Sequence, residues 1–535
     1  MIKKTTTVGA LTICAALFLS ACSGGTGSAV KTEGPDNFAI NGTLTTSMVS
    51  DPGSLSPLMT VSTDARSVLN FLYDRLTYQD PASGQFKPWL AESWTEAPSK
   101  VTFTLKSGIT CSDGTPLTAQ TVADNFNFVA TKDNNSPLRD VYVPGDLTAT
   151  ADNSSGVVTL ATPAPSPFLL ANASTLNIAC ESAVKEPTSV TDKSAGTGLF
   201  VLKEATANDH YTLERRSGYS WGPDATVTSE TPGVPATVVF KIVPSESAAA
   251  NLLLSGGLNI AAINGPDEAR VKAAGLSAFT THSIRGEMFY NQMTGKPTED
   301  PAVRIALTEG LDLDNVAKVM TAGKGTRADQ LSTADPVACT MTTTNALPAF
   351  DAAAAAEKLD AAGWKTGADG KRSKAGRELK LTLLYEILND TTTAAAEFAQ
   401  QQWAKIGVTI TLAGGDSNMV VAKILGGADN GSWDIVWVPV GISTPNTIVP
   451  FVSGAAPAAG TNFASIHNTR YEAEVKNAST LVGDQACKAW GTAETALFSS
   501  ADVVPFATTT LSTYLAKASL SLKDSFIGPS VRLLK

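Results

Sequence analysis

The sequence has 535 residues, 43% of them hydrophobic and 17% charged, with 40 Lys and Arg against 50 Asp and Glu. A chain of this length exceeds what a single hydrophobic core supports, so two or three lobes are expected. A net charge of −10 without a basic run argues against nucleic acid or an anionic membrane surface as a partner.

The amino-terminal residues have the organisation of an export signal. Lys3 and Lys4 precede an apolar stretch at residues 8–19, which is too short to span a membrane and has the length of a signal-peptide core. The run LSAC at 19–22 resembles the lipobox of bacterial lipoproteins. That resemblance implies cleavage before Cys22 and acylation of its sulfur; an ordinary cleavable signal beside an incidental cysteine is the alternative.

We therefore expect residues 1–21 to be a signal peptide and residues 22–37 to be the lipidated Cys22 with a flexible Gly- and Ser-rich tether. A lipid anchor of this kind holds a folded domain at a membrane without spanning it. The predicted location is the cell envelope, on the extracytoplasmic side, with contact to the membrane through the lipid only.

Beyond the signal, strand-like and helix-like segments alternate, which is typical of α/β lobes. Residues 101–105 alternate apolar and polar side chains as a half-buried strand does, and the Asp-Gly pair at 113–114 predicts a turn. Thr118 is placed to cap a helix, and Ser245 to cap another that stops at the glycine pair 256–257.

The second half of the chain continues this alternation. Asp300 with a proline after it predicts a helix start. Residues 351–362 predict a helix that ends at Gly363, and residues 391–406 predict another, which a strand at 408–412 follows.

Several short blocks, taken in order, resemble the extracellular solute-binding protein family 5, which includes oligopeptide-, dipeptide- and nickel-binding receptors. One departure is Arg75, which stands where the family usually has glycine. Each block alone is common, but their shared order is specific. The blocks are LSP at 55–57, YDRL at 73–76, PWLAESW at 88–94, SDGTPLTA at 112–119, GTGLF at 196–200, YSW at 219–221, NQ at 291–292, DPAVRIAL at 300–307, LDAAGW at 359–364, IGV at 406–408 and WDIV at 433–436.

The resemblance implies an α/β, two-lobed, periplasmic-binding-protein-like (Venus flytrap) fold with an extra subdomain in lobe one. Hinge crossings are expected near 265–290 and 488–505. The expected layout is lobe one at 38–270 with the extra subdomain at about 64–185, lobe two at 271–490, and a return to lobe one at 491–535.

Four cysteines remain once the signal is removed and Cys22 is lipidated, an even number in an oxidising compartment. Four cysteines allow three pairings. We favour Cys111 with Cys180 and Cys339 with Cys487, because each pair then stays within one lobe of the layout that the resemblance implies. Buried free thiols are the alternative.

The resemblance also points to two ligand-contact regions. The first lies between Pro57 and Tyr73, where oligopeptide receptors of the family offer an extended backbone edge, and it places Val61, Ser62 and Thr63 at the contact. Backbone pairing ignores side-chain identity, which suits broad specificity.

The second region is the loop at 437–445, after the strand that contains Asp434. Peptide-binding members carry an aspartate in this loop that accepts the α-amine of the ligand. Here Ser443 takes that position, and the loop contains no carboxylate. A buried ammonium needs a paired anion, so a free peptide amino terminus is poorly held unless Glu386 substitutes.

The ligand class is therefore open: a free peptide, a blocked peptide, a haem-like group or chelated metal, or another amphiphile. Trp437 either offers an aromatic face to the ligand or packs in the core. The ligand-contact residues expected from this second region and its neighbouring strand are Tyr385, Glu386, Trp437, Val438, Val440, Gly441 and Ser443.

Catalytic and metal sites are not expected. The three histidines, His210, His282 and His467, are scattered, and neither an HExxH run nor a GxSxG elbow occurs. An exported hydrolase would have to assemble its residues from distant parts of the chain. We predict no enzyme, no cofactor, no catalytic residue and no protein-ligated metal.

The function implied is that of a lipid-anchored receptor that delivers a peptide or other small ligand to an ABC permease and ATPase by closing its lobes. A monomer is expected, without nucleic acid. The alternative is a sensing or adhesion lipoprotein that uses the same fold without a permease.

Overall fold

A computed structural model describes residues 37–80, 83–187, 194–335, 337–341, 343, 345–426, 431–481, 483–522 and 526–535. The expected signal peptide, the expected lipidation site Cys22 and all of the expected tether except Asn37 lie outside the described residues.

The strands of the described residues are, in chain order, β1 (Thr43–Met48), β2 (Thr77–Gln79), β3 (Phe86–Pro88), β4 (Ala91–Ala97), β5 (Lys100–Leu105), β6 (Thr148–Asp152), β7 (Val157–Ala161), β8 (Phe200–Thr206), β9 (His210–Arg215), β10 (Thr237–Ile242), β11 (Ile260–Ala262), β12 (Ser277–Tyr290), β13 (Lys365–Thr366), β14 (Arg372–Lys374), β15 (Arg377–Glu378), β16 (Lys380–Glu386), β17 (Thr409–Gly415), β18 (Ile435–Trp437), β19 (Val503–Leu515), β20 (Ala518–Leu520) and β21 (Val531–Leu533).

The helices are, in the same order, α1 (Thr63–Leu72), α2 (Ala119–Ala130), α3 (Leu169–Ala173), α4 (Glu181–Lys185), α5 (Glu246–Ser255), α6 (Glu268–Ala273), α7 (Pro301–Glu309), α8 (Leu313–Met320), α9 (Ala352–Ala361), α10 (Asp390–Lys405), α11 (Ser417–Leu425), α12 (Val449–Val452), α13 (Thr469–Ala478) and α14 (Gly483–Ser499).

Several of these elements begin and end where the sequence predicts. The side chains of Thr118 and Ser245 accept hydrogen bonds from the third residue after them, so both are helix N-caps. Asp300 caps α7 by accepting from the amide of Ala302, and Asp351 caps α9 by accepting from the amides of Ala353 and Ala354. At the end of α9, Gly363 has a φ of 89°, a conformation that favours glycine.

Ten of the described strands form one continuous mixed sheet in the order β17-β16-β18-β12-β19-β11-β1-β10-β9-β8. Strands β1 and β10 are parallel at one end, and β16 is parallel to both β17 and β18 at the other. Parallel strands joined through helices account for the α/β character that the alternation predicted.

The two ends of the sheet belong to two lobes with separate cores. Lobe one is built around buried residues that include Leu44, Phe71, Phe103 and Phe240, joined by the carboxyl-terminal strands through Val531. Lobe two is built around buried residues that lie mostly between Met288 and Ala507. The two-lobed α/β architecture expected from the resemblance is confirmed, whereas the domain boundaries at 270 and 490 remain predictions.

Two long antiparallel strands join the lobes. Strands β12 and β19 pair from Ser277 opposite Leu515 to Phe289 opposite Val503, with register shifts on both sides of Gly286. The first lies within the crossing expected at 265–290. The second, β19, lies carboxyl-terminal to most of the crossing expected at 488–505, because α14 occupies residues 483–499.

An additional small sheet lies within the sequence of lobe one. Strands β4, β5, β7 and β6 form this sheet, and all of its pairings are antiparallel. Helix α2 buries Val122, Phe126 and Val129 in the same core. This unit falls within the segment expected to hold the extra subdomain.

Disulfide bonds join Cys111 to Cys180 and Cys339 to Cys487, with Cα–Cα distances of 6.1 and 5.3 Å. These are the pairings favoured from the sequence. The first tethers the turn before α2 to the start of α4, within lobe one. The second ties residues 337–341 to α14, within lobe two.

Candidate ligand-binding cleft

A cleft of about 1380 Å³ has walls from both lobes. The lobe-one wall comes from residues 59–62, residues 132–144 and Asn172. The lobe-two wall comes from α11, residues 446–461 and the helices α13 and α14, where Trp490 contributes. This volume is large enough for a peptide-sized or drug-sized molecule.

Hydrogen bonds fix the lobe-one wall. Ser62 is the N-cap of α1, and its side chain accepts a hydrogen bond from the amide of Ala65. The hydroxyl of Ser136 donates to the carbonyl of Leu58 at 2.6 Å and so ties the second wall segment to the first. Arg139 and Asp140 pair with each other at 2.6 Å.

The lobe-two wall is held in a similar way. Asp416 caps α11, whose residues Asn418, Val421 and Leu425 line the cleft. In the following segment the hydroxyl of Thr461 donates to the carbonyl of Pro450 at 2.9 Å. The wall therefore consists of an anchored helix and a loop closed on itself.

Contacts between the lobes lie at the cleft. The Asn418 amide donates to the carbonyl of Asp51 at 2.9 Å, and the Thr444 hydroxyl donates to the side-chain oxygen of Asn172 at 3.1 Å. The rings of Phe168 and Trp490 meet with centroids 6.4 Å apart. In this structure the two lobes are thus in direct contact beside the cleft.

The charge of the lining is balanced. Its charged side chains among the described residues come from one segment of lobe one: Lys132, Asp133, Arg139 and Asp140. Two of them are positive and two negative, and Arg139 pairs with Asp140. The described lobe-two lining residues carry no charged side chain, so this wall offers hydroxyl, amide and apolar groups only.

The first predicted contact region lies partly in the cleft. Val61 and Ser62 line it, whereas Thr63 begins α1, is exposed and lies outside the lining. The role of these residues in holding a ligand stays a prediction.

The second predicted region lies outside the cleft lining. Trp437 is 2% exposed and its ring lies 4.9 Å from that of Phe506, so the core interpretation of this tryptophan is the one the structure gives. Tyr385 pairs with Trp437 across β16 and β18 and is also buried. Val438 is buried as well, and none of these three residues lines the cleft.

The rest of the loop is anchored to lobe two. The amide of Ala338 donates to the carbonyl of Ser443 at 2.9 Å, and the amide of Val440 donates to Glu287 at 2.8 Å. Gly441 is exposed. Val440, Gly441 and Ser443 are not among the residues that line the cleft, and their contact with a ligand stays a prediction.

A carboxyl group that the sequence reasoning missed lies under this loop. Glu287, on β12, is fully buried, and burial raises its pKa well above the usual range, with the Glu494 carboxyl adding to the effect. Both effects favour the protonated, uncharged form of Glu287 over the anion that an ammonium group requires.

Glu386 lies in an acidic cluster at the lobe boundary. Burial raises the pKa of Glu386, and the charges of Asp64 and Asp416 raise it further. A hydrogen bond from Ser417 and the charge of Arg285 lower it. Asp64 belongs to lobe one, and burial raises its pKa as well. Glu386 is not among the residues that line the cleft. That it takes the role of the missing loop aspartate stays a prediction.

The sequence reasoning missed most of the lining. Segment 132–144, Asn172, α11, segment 446–461 and Trp490 carry no local motif that distinguishes them from surface or core. Only the relative placement of the lobes makes them neighbours. A helix pattern in 417–425 could have indicated α11, but not that it faces lobe one.

A family model described as bacterial extracellular solute-binding proteins, family 5, matches residues 85–460. The match covers more than half of the chain. The chain belongs to family 5 of the solute-binding proteins.

Relatives and solved structures agree with this membership. Protein XP55 of Streptomyces lividans is 29% identical over 405 residues, which cover 73% of this chain and 70% of the relative. A substrate-binding protein of Microbacterium hydrocarbonoxydans, solved in complex with 4-hydroxybenzoate hydrazide, is similar with a TM-score of 0.79 and 26% sequence identity. The match covers 92% of this chain and 99% of that protein. The oligopeptide-binding protein AppA of Bacillus subtilis, in complex with a nonapeptide, has a TM-score of 0.78 at 20% identity, with 92% and 99% coverage.

Family 5 proteins are extracellular solute-binding receptors for peptides and other small ligands, and they work with the permease and ATPase of ABC importers. The family is one of receptors and is generally not enzymatic. Among the described residues of this family 5 protein, none of the helices has the length and hydrophobicity to cross a bilayer. No grouping of three or more His, Cys, Asp or Glu suited to a metal occurs in the same residues.

Proposed function

We propose that this family 5 protein is a lipid-anchored receptor that encloses an uncharged peptide or peptide-like ligand between its lobes and delivers it to an ABC importer. The observation that carries the proposal is the cleft itself. Both lobes supply its walls, and the lobes are joined through the paired strands β12 and β19. A ligand that touches both walls favours the closed arrangement, because only that arrangement offers all of its contacts.

The charge balance of the cleft supports an uncharged ligand group. Charged ligand groups must be desolvated on entry and then need an opposite charge to offset that cost. The described lobe-two lining offers none, and the four charged side chains of the lobe-one lining sum to zero, with Arg139 paired to Asp140. Two structural relatives were solved with a nonapeptide and with 4-hydroxybenzoate hydrazide, so ligands of very different size fit this architecture.

The lipid anchor is proposed from the sequence. The basic residues, apolar stretch and LSAC run at the amino terminus support it. A lipid on Cys22 would keep the receptor at the membrane surface, where the permease lies.

Lobe closure tests the receptor function. Small-angle scattering and thermal unfolding of the mature protein are measured with and without a low-molecular-weight concentrate of spent growth medium. We expect the radius of gyration to fall and Tm to rise with concentrate. An unchanged radius and Tm with this concentrate and with peptide mixtures would contradict the proposal.

Membrane attachment is tested separately with Cys22→Ser. We expect the wild type to remain with the membrane fraction and to incorporate a clickable palmitate analogue, and the variant to lose both properties. A wild type without label would contradict the anchor. Permease and ATPase genes beside the coding sequence would support importer function, and their absence would favour sensing or adhesion.

A further inference from the structure

Two arginines of lobe one have only neutral hydrogen-bond partners among the described residues. Arg66, on α1, donates to the hydroxyl of Tyr142 and lies over its ring, with a distance of 4.9 Å from Cζ to the ring centroid. Arg75, which follows α1, donates from Nε to the side-chain oxygen of Asn177 at 3.1 Å and from Nη2 to that of Asn70 at 2.6 Å. These contacts satisfy hydrogen bonds but do not neutralise the two positive charges.

The two guanidinium groups are close enough to repel each other. Burial and the charge of Arg66 lower the pKa of Arg75 to about 10, and Tyr142 acts in the opposite direction. Both arginines are therefore charged at neutral pH. Two like charges in a partly buried position cost free energy unless an anion offsets them.

The carboxylates nearest to the two arginines in the sequence are engaged elsewhere. Asp64 accepts from the amide and the hydroxyl of Ser50 at 3.1 and 2.7 Å. Asp74 accepts from the indole of Trp221 at 2.9 Å and from the hydroxyl of Thr197 at 3.0 Å. Neither carboxylate forms an ion pair with these arginines.

A small cavity of about 10 Å³ lies beside the pair. Arg66 lines it directly, and Arg75 is connected to it through Asn177, a lining residue that is 6% exposed. Thr60 lines both this cavity and the cleft, so the two spaces are adjacent. The volume is close to that of one water molecule, which admits a monatomic ion but not a group attached to a larger ligand.

The polar side chains of the cavity are arranged to donate hydrogen bonds. The side-chain oxygens of Tyr142 and Asn177 already accept from the two arginines. The hydroxyl oxygen of Thr60 accepts from the amide of Ser62 at 3.1 Å. These three side chains keep N–H or O–H groups to donate, and no carboxylate of the described residues lines the cavity. Donors beside two cations are the groups that an anion requires.

We infer that Arg66, Arg75, Tyr142 and Asn177 form a binding site for a monatomic anion, chloride, in lobe one. Arg66, Tyr142 and Asn177 contact the ion, while Arg75 contributes its charge and holds the Asn177 side chain through the hydrogen bond to its oxygen. Arg75 stands where the family usually has glycine, so the site is a property of this chain rather than of the fold. The inference goes beyond the proposed receptor function and does not depend on it.

Bromide crystallography tests the site directly. Crystals of the mature protein are grown in sodium bromide without chloride, because bromide resembles chloride and scatters anomalously. We expect an anomalous peak in the cavity within hydrogen-bond distance of the Arg66 guanidinium, and no such peak in Arg66→Gln. A wild-type cavity that holds water or nothing, without an anomalous peak, would overturn the inference.

Thermal unfolding supplies an independent measurement in solution. Chloride replaces gluconate at constant ionic strength, so that general screening of charges stays the same. We expect the Tm of the wild type to rise by about 1–3 °C and to level off as the site fills. Arg66→Gln and Arg75→Gln should each remove most of this rise.

Arg270→Gln is the matched control. Arg270 lies on α6, pairs with Asp267 at 2.8 Å and has a side chain that is 46% exposed, so its removal should leave the response to chloride unchanged. A wild-type Tm that does not respond to chloride, or an equal response in the wild type and all three variants, would overturn the inference. If Arg66→Gln or Arg75→Gln does not fold, the bromide map of the wild type still decides.

Discussion

The hydroxyl of Thr444 donates a hydrogen bond to the side-chain oxygen of Asn172 at 3.1 Å, and this bond joins lobe two to lobe one. Both residues are buried, at 5% and 4% exposure. An intramolecular hydrogen bond of this kind contributes about 0.5–1.5 kcal/mol net. Because the bond connects the lobes, opening them would break it, so its contribution acts on the closed arrangement rather than on the fold of either lobe.

Replacing this hydroxyl should therefore shift lobe closure. In Thr444→Val the valine keeps the shape of the side chain but leaves the Asn172 oxygen without its donor. We expect the closed population, measured by scattering or by fluorescence transfer between labels on the two lobes, to fall roughly two- to tenfold relative to the open population.

A buried threonine inside one lobe is the matched control. Thr308 bonds to Tyr290 and to the carbonyl of Arg304, all within lobe two. Thr308→Val should lower Tm without changing the ratio of closed to open protein. Equal closure in wild type and Thr444→Val would show that the bond does not contribute to closing.

A buried ion pair in lobe two should be costly to break. Arg304 and Asp502 lie 2.7 Å apart, with side chains 5% and 3% exposed, and Asp502 also accepts from Gln292 and Asn468. Arg304→Met leaves this carboxylate buried without its cation, and we expect a loss of about 3–5 kcal/mol in the free energy of unfolding. Urea denaturation followed by tryptophan fluorescence measures it.

The comparison for this variant is an exposed pair. Lys185 and Glu181 form an ion pair on α4 with side chains 69% and 63% exposed. Lys185→Met should change the unfolding midpoint little, because water screens exposed charges. Similar effects from Arg304→Met and Lys185→Met would mean that burial does not determine the strength of the Arg304 pair.

Stability should fall as pH rises through the neutral range because of one buried acid. Burial raises the pKa of Glu494 to about 8, and the nearby Asp329 carboxylate adds to the effect. An unfolded glutamate titrates near about 4.3, so between these values the folded protein holds the additional proton. The stabilisation is complete below the unfolded pKa and is lost as pH rises toward the folded pKa, at up to about 1.4 kcal/mol per pH unit.

Glu494→Gln should remove this part of the pH dependence. Between pH 5 and pH 8.5, Tm is expected to fall less steeply in the variant than in the wild type. The Tm of the variant relative to the wild type should therefore be most favourable at high pH. Glu181→Gln, an exposed change, should leave the slope as it is. If Glu494→Gln does not reduce the decrease of Tm with pH, another group causes that decrease, and the buried Glu287 carboxyl is the next candidate.

Local patterns in the sequence account for much of the fold. Thr118, Ser245, Asp300 and Asp351 cap helices because each of these side chains satisfies nearby amide groups, and this depends on few neighbours. The block that contains Gly198 has a tertiary reason, since a Cβ there would collide with the backbone of Leu72. A sequence block can indicate that a glycine is required at such a position, but not which part of the backbone packs against it.

The cleft could be predicted far less well. Val61 and Ser62 follow from the family pattern, and both line the cleft. Trp437 and Trp490 are both tryptophans in lobe two, and nothing local distinguishes the one that packs on Phe506 from the one at the cleft. That difference arises from the position of α14 relative to lobe one, a contact between distant parts of the chain.

The disulfide between Cys339 and Cys487 should affect the cleft, whereas the other disulfide should not. Cys339 packs in the same cluster as Trp490, and the bond closes a segment with a sequence separation of 148 residues. Replacing both cysteines by alanine should lower stability by up to about 5 kcal/mol in the chain-entropy model. Because residues 337–341 and α14 would no longer be tied together, the decrease in the radius of gyration on addition of the growth-medium concentrate should be smaller as well.

Removing Cys111 and Cys180, whose separation is 69 residues, should lower stability by a similar amount of about 4 kcal/mol but leave this closure response unchanged. Small-angle scattering and thermal unfolding of both double variants distinguish the two effects. Equal closure responses in the two variants would show that the Cys339–Cys487 bond stabilises lobe two without shaping the cleft.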